Sequence, residues 1–212
     1  MRIVKDAAVR KNEILDCASA LFLLNGYEQT STEDILREVG IARGTLYYHF
    51  KSKEEILDGL IARTTDDMAS KAFAIVHDES ASFYEKLSGV LFSMKAATPE
   101  SLQLIDQAHQ PENILLHQKM HEQAARKLIP LIAELIEQGN QLNECSNPYP
   151  LQTAEMTFLY GSMAFDAIPG NSPDEILKTA EAFIFNLERL LNTQNGKLRE
   201  VMMRALIHPF SD

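Results

Sequence analysis

Apolar residues in this chain recur every three or four positions and almost nowhere every second position. That spacing belongs to helices with one buried face, and it excludes a sheet-based fold. Ile14, Ala18, Leu21 and Phe22 form one such face over a helix expected at about 9–25, and Gly26 follows as its stop. Thr30 with Glu33 and Ser31 with Asp34 both have capping-box spacing, so a second helix starts there and runs to Val39, closed by Gly40. A short third helix is expected over Arg43–His49. A fourth, opened by the Ser52–Glu55 box, runs from Lys53 to about Val76. Further on, Ser82–Glu85 opens a helix, and Thr98-Pro99-Glu100 starts a short one that ends by Pro111. A long helix covers about 112–138, with Pro130 as a kink and Gly139 as its stop. After a loop to Pro150, Leu151–Ala167 and a helix opened by Ser172-Pro173-Asp174-Glu175 form an apolar pair joined at Pro169-Gly170-Asn171. The second of the pair carries Ile176, Ala180, Phe183, Ile184, Leu187, Leu190 and Leu191 on one side and ends by Gly196, before a last helix over 197–207. About ten helices result, so the fold class is all-α, with a boundary along the fourth helix.

Charge divides unevenly across that boundary. Residues 1–63 hold nine Lys/Arg against ten Asp/Glu, and residues 64–212 hold eleven against twenty, within a net charge of -10. An acidic body that carries a small basic cluster, Arg43, Lys51 and Lys53, keeps anions off most of the surface and admits them at one place. It also serves plain solubility. The two cysteines, Cys17 and Cys145, lack metal-ligand spacing and fit a reducing compartment. The longest uncharged run, Cys17–Tyr27, is 11 residues, too short to cross a bilayer, and no leader pattern is visible, so a cytoplasmic location is expected.

Two short helices joined by a glycine turn, here 31–39, Gly40-Ile41-Ala42 and 43–49, have the form of a helix-turn-helix. Ile35, Leu36, Val39, Leu46 and Phe50 can bury against the first helix, which leaves Arg43, Thr45, Tyr47, Tyr48 and His49 to face outward. Such a helix suits a major groove: Arg43 matches a guanine edge and Thr45 offers a hydroxyl or a methyl. Tyr48, His49 and Lys53 are placed for phosphates, as are the free amides at the start of the second helix with Ser31 and Thr32. The same pattern also fits a three-helix packing unit with no ligand.

The run Gly40-Ile41-Ala42-Arg43-Gly44-Thr45-Leu46-Tyr47-Tyr48-His49-Phe50-Lys51-Ser52-Lys53-Glu54-Glu55 closely resembles the DNA-binding signature of the TetR family. Ile14-Leu15, Ala18, Phe22, Gly26-Tyr27, Thr30-Ser31 and Ile35 resemble it upstream. The resemblance covers about residues 9–65. It implies an N-terminal three-helix DNA-binding domain at 8–68 (helix-turn-helix about 31–50) and a larger helical effector-binding and dimerisation domain at 69–212. It also implies homodimers on palindromic double-stranded operators and a repressor released by a small-molecule effector. Positions matching Arg43, Gly44, Thr45 and Tyr47 would approach bases, and those matching Ser31, Tyr48, His49 and Lys53 would approach phosphates. Ala42 departs from the pattern, standing where a capping serine is frequent, and Leu36 and Val39 stand where alanine is common.

Past about residue 75 the resemblance is architectural. The paired helices at 151–167 and 173–191 would meet their copies in a dimer, with Phe158, Phe165, Ile176, Phe183, Ile184 and Leu187 at the interface. The alternative is an internal hairpin. Met94, His109, His117, Met120, His121, Phe158, Tyr160 and Met163 are candidates to line an effector pocket, and ordinary core is the competing role for each. His117 and His121, four apart with Glu122 beside them, have a spacing that can hold a metal, but no third ligand is evident, so none is expected. Phosphate-cradling glycine loops and nucleophile elbows are absent, so neither catalysis nor a cofactor is expected. Two other readings keep the scaffold: a DNA-bound body that holds a protein partner in place of a small ligand, and a helical enzyme that only resembles a regulator.

Overall fold

The computed structural model describes residues 6–93, 114–165, 172–194 and 196–207, and every regular element among them is a helix. These are α1 (Ala7–Asn25), α2 (Thr32–Val39), α3 (Arg43–His49), α4 (Lys53–Val76), α5 (Phe83–Ser93), α6 (Ile114–Gln141), α7 (Pro150–Phe165), α8 (Pro173–Leu191) and α9 (Lys197–Ile207). The short helix expected between Thr98 and Pro111, and the turn at Pro169–Asn171, lie outside the described residues. No described helix is long and apolar enough to cross a membrane.

Two compact units form. The N-terminal one runs to Thr65 and also takes in α6 up to Gln123; the other begins at Asp66 and resumes at Ala124. The N-terminal core collects Ile14, Leu15, Ala18 and Phe22 of α1, Ile35 of α2, Leu46 and Phe50 around α3, and Ile56, Leu57, Leu60 and Ile61 of α4. Leu116 and Met120 of α6 complete it. Lys119, between them, donates to Glu54 at 2.6 Å and Asp58 at 2.9 Å on α4. Those two carboxylates hold the lysine ammonium charged far above its usual range.

In the second unit, α7 packs on α8, and α9 packs on α5 and α8. Its core includes Val76, Phe83, Leu87, Val90, Leu128, Ile132, Leu135, Ile136, Ala154, Phe158, Phe183, Ile184, Leu187, Leu191, Leu198 and Met202. Here two expected helix stops are corrected. Gly139 lies inside α6, which continues to Gln141. A Cβ at Gly139 would come within 2.5 Å of the Phe83 ring and 2.8 Å of Cys145 Sγ, so the glycine answers to packing and terminates nothing. The α8 helix stops at Leu191, before Gly196, because Asn192 takes the left-handed conformation (φ 51°, ψ 47°). Gly196 instead helps to start α9. The buried Glu188 carboxylate accepts the N–H groups of Gly196 (3.0 Å), Leu198 (3.0 Å) and Arg199 (3.2 Å), filling the unpaired donors of that helix start.

Candidate nucleic-acid interface

The turn-helix region is built by local caps. Of the two possible boxes at the start of α2, the structure forms the one between Ser31 and Asp34. Asp34 N–H donates to Ser31 Oγ at 3.2 Å, and Ser31 N–H donates to Asp34 Oδ2 at 3.0 Å. The Ser31 hydroxyl, with its backbone amide, holds the Asp34 carboxyl below the usual carboxylate range. Thr30 is buried, and its hydroxyl donates to Gly26 O at 2.9 Å and Leu21 O at 3.2 Å, which closes the end of α1. Gly40 ends α2 at φ 69°, a conformation that favours glycine, and so sets the turn into α3. Ala42 stands at the α3 N-cap with no side-chain cap, as its identity requires.

Leu46 and Phe50 anchor α3 inward. On its other side Arg43 is 70% exposed and Tyr48 is 72% exposed. Thr45, Tyr47 and His49 are half-buried, and the Tyr48 and His49 rings meet edge-on at 5.0 Å. Gly44 is exposed, and a Cβ there would meet nothing within 4 Å. The fold therefore makes no steric demand for glycine at 44. Arg43 lies over the Tyr47 ring, 5.5 Å from its centroid, and 3.7 Å from Glu33 of α2. Hydrogen bonding from Thr32, then from Arg43, pulls the Tyr47 phenol below its usual pKa.

The two lysines of the basic cluster are already engaged. Lys51 Nζ donates to Tyr47 O at 2.6 Å, at the last turn of α3. Lys53 Nζ donates to Tyr27 O at 2.8 Å and Glu28 O at 3.3 Å, and sits 4.3 Å from the Tyr27 ring centroid. Lys53, expected at a phosphate, thus clamps the turn after α1 to the start of α4 in the free chain. The pairing of Arg43 with Glu33 was not foreseen, because ten residues and a turn separate the two and Glu33 read as a capping group.

Among the described residues, His117, Met120 and His121 belong to the N-terminal unit, and Phe158 and Tyr160 to the other. Met94, His109 and the Met163 side chain lie outside the described residues. Met120 is buried in the N-terminal core and Phe158 in the core of the other unit, so both are packing residues. Tyr160 is exposed and stacks on Phe183 at 5.8 Å. The His117 and His121 rings stack at 6.2 Å in the N-terminal unit, and no group of three metal-ligating residues occurs among the described residues. The expected dimer residues differ in their exposure. Phe158, Phe183, Ile184 and Leu187 are at most 3% exposed and belong to the core of their own unit, and Phe183 and Leu187 also line the outward groove between α7 and α8. Ile176 is exposed, and the Phe165 side chain lies outside the described residues. Leu151, Ile176, Leu177 and Phe185 are exposed on the pair, and so are Met156, Leu159 and Tyr160 on α7 and Leu190 on α8, which line one groove with Asn186 and Arg189 beside them. Leu190, read with the buried stripe of α8, thus faces outward.

A capped helix, a left-handed glycine turn and a short helix with an open polar face, followed by a larger helical body, define the helix-turn-helix class. Residues 14–60 match the family model described as "Bacterial regulatory proteins, tetR family". That match lies in the N-terminal unit and covers the turn-helix region, so the likeness to the TetR family rests on that region. It is 35% identical over 92 residues to the HTH-type transcriptional repressor KstR2 of Mycobacterium tuberculosis, a match covering 43% of this chain and 46% of that protein. The chain therefore spans less than half the length of that curated relative. It is 28% identical over 163 residues to the fatty acid metabolism regulator protein of Bacillus subtilis, covering 71% of this chain and 78% of the relative. Among solved structures, a TetR/AcrR-family transcriptional regulator from Thermobifida fusca superposes with a TM-score of 0.63 at 22% identity, over 87% of this chain and 97% of that one. The fatty acid degradation regulator FadR of Bacillus halodurans gives 0.58 at 20% identity, over 95% and 96%.

Proposed function

We propose that this protein is a cytoplasmic, sequence-specific DNA-binding transcriptional regulator, a repressor released from a palindromic operator by a small-molecule effector. The observation that carries the reading is the α3 surface: Arg43 and Tyr48 stand exposed beside a glycine, Gly44, that the fold itself does not require. Arg43, Gly44, Thr45 and Tyr47 meet base edges. Ser31, Thr32, Tyr48 and His49 meet phosphates, while Lys53 holds the α1–α2 turn in register and offers its remaining N–H to the backbone of the duplex.

Two half-sites one helical turn apart, about 34 Å, need two copies of α3 on a twofold axis. The dimer forms through the outward face of α7 and α8, with Met156, Leu159, Tyr160 and Leu190 as its apolar contacts. The effector binds in the C-terminal unit and favours the conformation that cannot span both half-sites. Selection of bound duplexes from a randomised library, followed by Arg43→Ala, tests this reading. A twofold-symmetric motif is expected. The substitution should cost about 1–3 kcal/mol per half-site and relax the choice at one base pair. A protein that enriches no motif from the library defeats the proposal.

A further inference from the structure

We infer that Glu33 is a specificity-determining residue of the DNA-binding surface: its carboxylate holds Arg43 to one base and away from the phosphates, an inference that rests on the DNA-binding reading above. Glu33 is the second residue of α2, yet it takes no part in that helix's capping box, which Ser31 and Asp34 complete. Its side chain instead reaches across the turn to α3. One carboxylate oxygen accepts from the Thr32 hydroxyl at 3.1 Å, and the other faces Arg43 Nη2 at 3.7 Å. The Tyr47 ring supports the guanidinium from another side, its centroid 5.5 Å away. Arg43 thus leaves the protein surface already flanked on two sides by groups from two helices.

That flanking has two consequences. A guanidinium has five N–H donors, and a guanine edge takes only two, O6 and N7. A carboxylate beside the group attracts the side of the fork that points elsewhere and narrows the directions in which it can swing. The same carboxylate cancels most of the arginine's attraction for phosphate at a distance, because a duplex meets a pair of opposite charges and not a lone cation. A free arginine at the start of a recognition helix would bind any duplex through its backbone. Beside Glu33, it gains little from a phosphate and keeps its gain from a matched base. The pair is exposed, 70% for Arg43 and 59% for Glu33, so its strength is that of a surface ion pair. Its effect is therefore expected in the balance between right and wrong sequences, with little effect on folding.

The test compares the wild type, Glu33→Gln, Arg43→Ala and the double variant in the full-length protein. Duplexes selected by the wild type from a randomised library are measured against scrambled duplexes over a range of salt. Glutamine keeps the size of the side chain and an acceptor for Thr32, and removes only the charge. Expected for Glu33→Gln is a rise of about two- to fivefold per subunit in affinity for scrambled duplex, the scale of one exposed ion pair, with a steeper salt dependence. Discrimination should fall by a similar factor at the base pair that Arg43→Ala relaxes, and the double variant should be no less selective than Arg43→Ala alone. A merely structural role would persist without Arg43 and lower the selectivity of the double variant below that of Arg43→Ala. If Glu33→Gln leaves discrimination unchanged or sharper, or if the double variant loses selectivity beyond Arg43→Ala, the inference is overturned while DNA binding stands. If the wild type itself enriches no motif, the DNA-binding reading fails and the inference with it.

Discussion

Replacing Gly44 by alanine separates what the fold needs from what a duplex needs. Gly44 is the second residue of a seven-residue helix, and a Cβ built there meets nothing within 4 Å. The methyl group therefore clashes with no part of the chain. What remains is backbone entropy: alanine in a helix is favoured over glycine by about 0.5–1 kcal/mol. For a chain of this size that corresponds to a rise in Tm of about 1–4 °C. On DNA the sign reverses. A methyl placed where the backbone approaches the duplex forces the two surfaces apart, and each hydrogen bond stretched beyond reach costs about 0.5–1.5 kcal/mol. With two copies of α3 engaged, a loss of roughly tenfold or more in operator affinity is expected, about 1.4 kcal/mol per tenfold. Calorimetry of the free protein and titration of a selected duplex read the two effects independently. A variant that melts lower than the wild type refutes the claim that the position is open. One that binds DNA unchanged refutes the claim that the bare backbone faces the duplex.

Gly139→Ala should act in the opposite way, since its methyl would press into the Phe83 ring and Cys145; a loss of about 1–3 kcal/mol in chemical denaturation is expected. Ala42→Ser supplies the missing N-cap of α3, whose backbone at φ −71° and ψ 147° already suits it; a gain of about 0.5–2 kcal/mol is expected, visible as a higher Tm. Burial, then the neighbouring Glu144, pushes the Cys145 thiol from 9.0 up to about 11. The unfolded thiol loses its proton first, so between those pH values the unfolded state binds fewer protons and stability falls as pH rises. Cys145→Ala should flatten part of that decline in denaturation curves taken across the interval. Cys17, raised to about 11 by burial and Glu38, accounts for a further part.

The limits of α2 and α3 were legible in the sequence because short-range chemistry decides them: a serine with an acid three residues on, and a glycine able to adopt positive φ. Gly139 and Gly196 misled for the same reason. A glycine signals that something is special about the backbone or its surroundings, and only the tertiary structure tells a left-handed stop from a close approach by Phe83. The stripe Phe183, Ile184 and Leu187 on α8 was read correctly as a buried face, yet periodicity does not say which surface buries it. The answer is the core of its own unit. The pocket candidates show the same ambiguity: methionine and aromatic side chains suit a cavity wall and a packed core equally well, and Met120 and Phe158 lie in cores. Lys53 illustrates a different limit. Its charge was evident, but its engagement with the carbonyls of Tyr27 and Glu28 depends on a contact made 25 residues upstream.

The placement of Leu116 and Met120 bears on how the chain matures. The hydrophobic interior around the recognition helix is discontinuous in sequence: residues 14–61 supply most of it, and α6 supplies the rest after a gap of more than fifty positions. A ribosome that has released only the first seventy residues has released a nucleus with two side chains missing and no Lys119 to bridge Glu54 and Asp58. Closure of the N-terminal unit must wait until about residue 120 has emerged. A proteolytic fragment cut just after α4 should be less stable than its native-like sequence suggests.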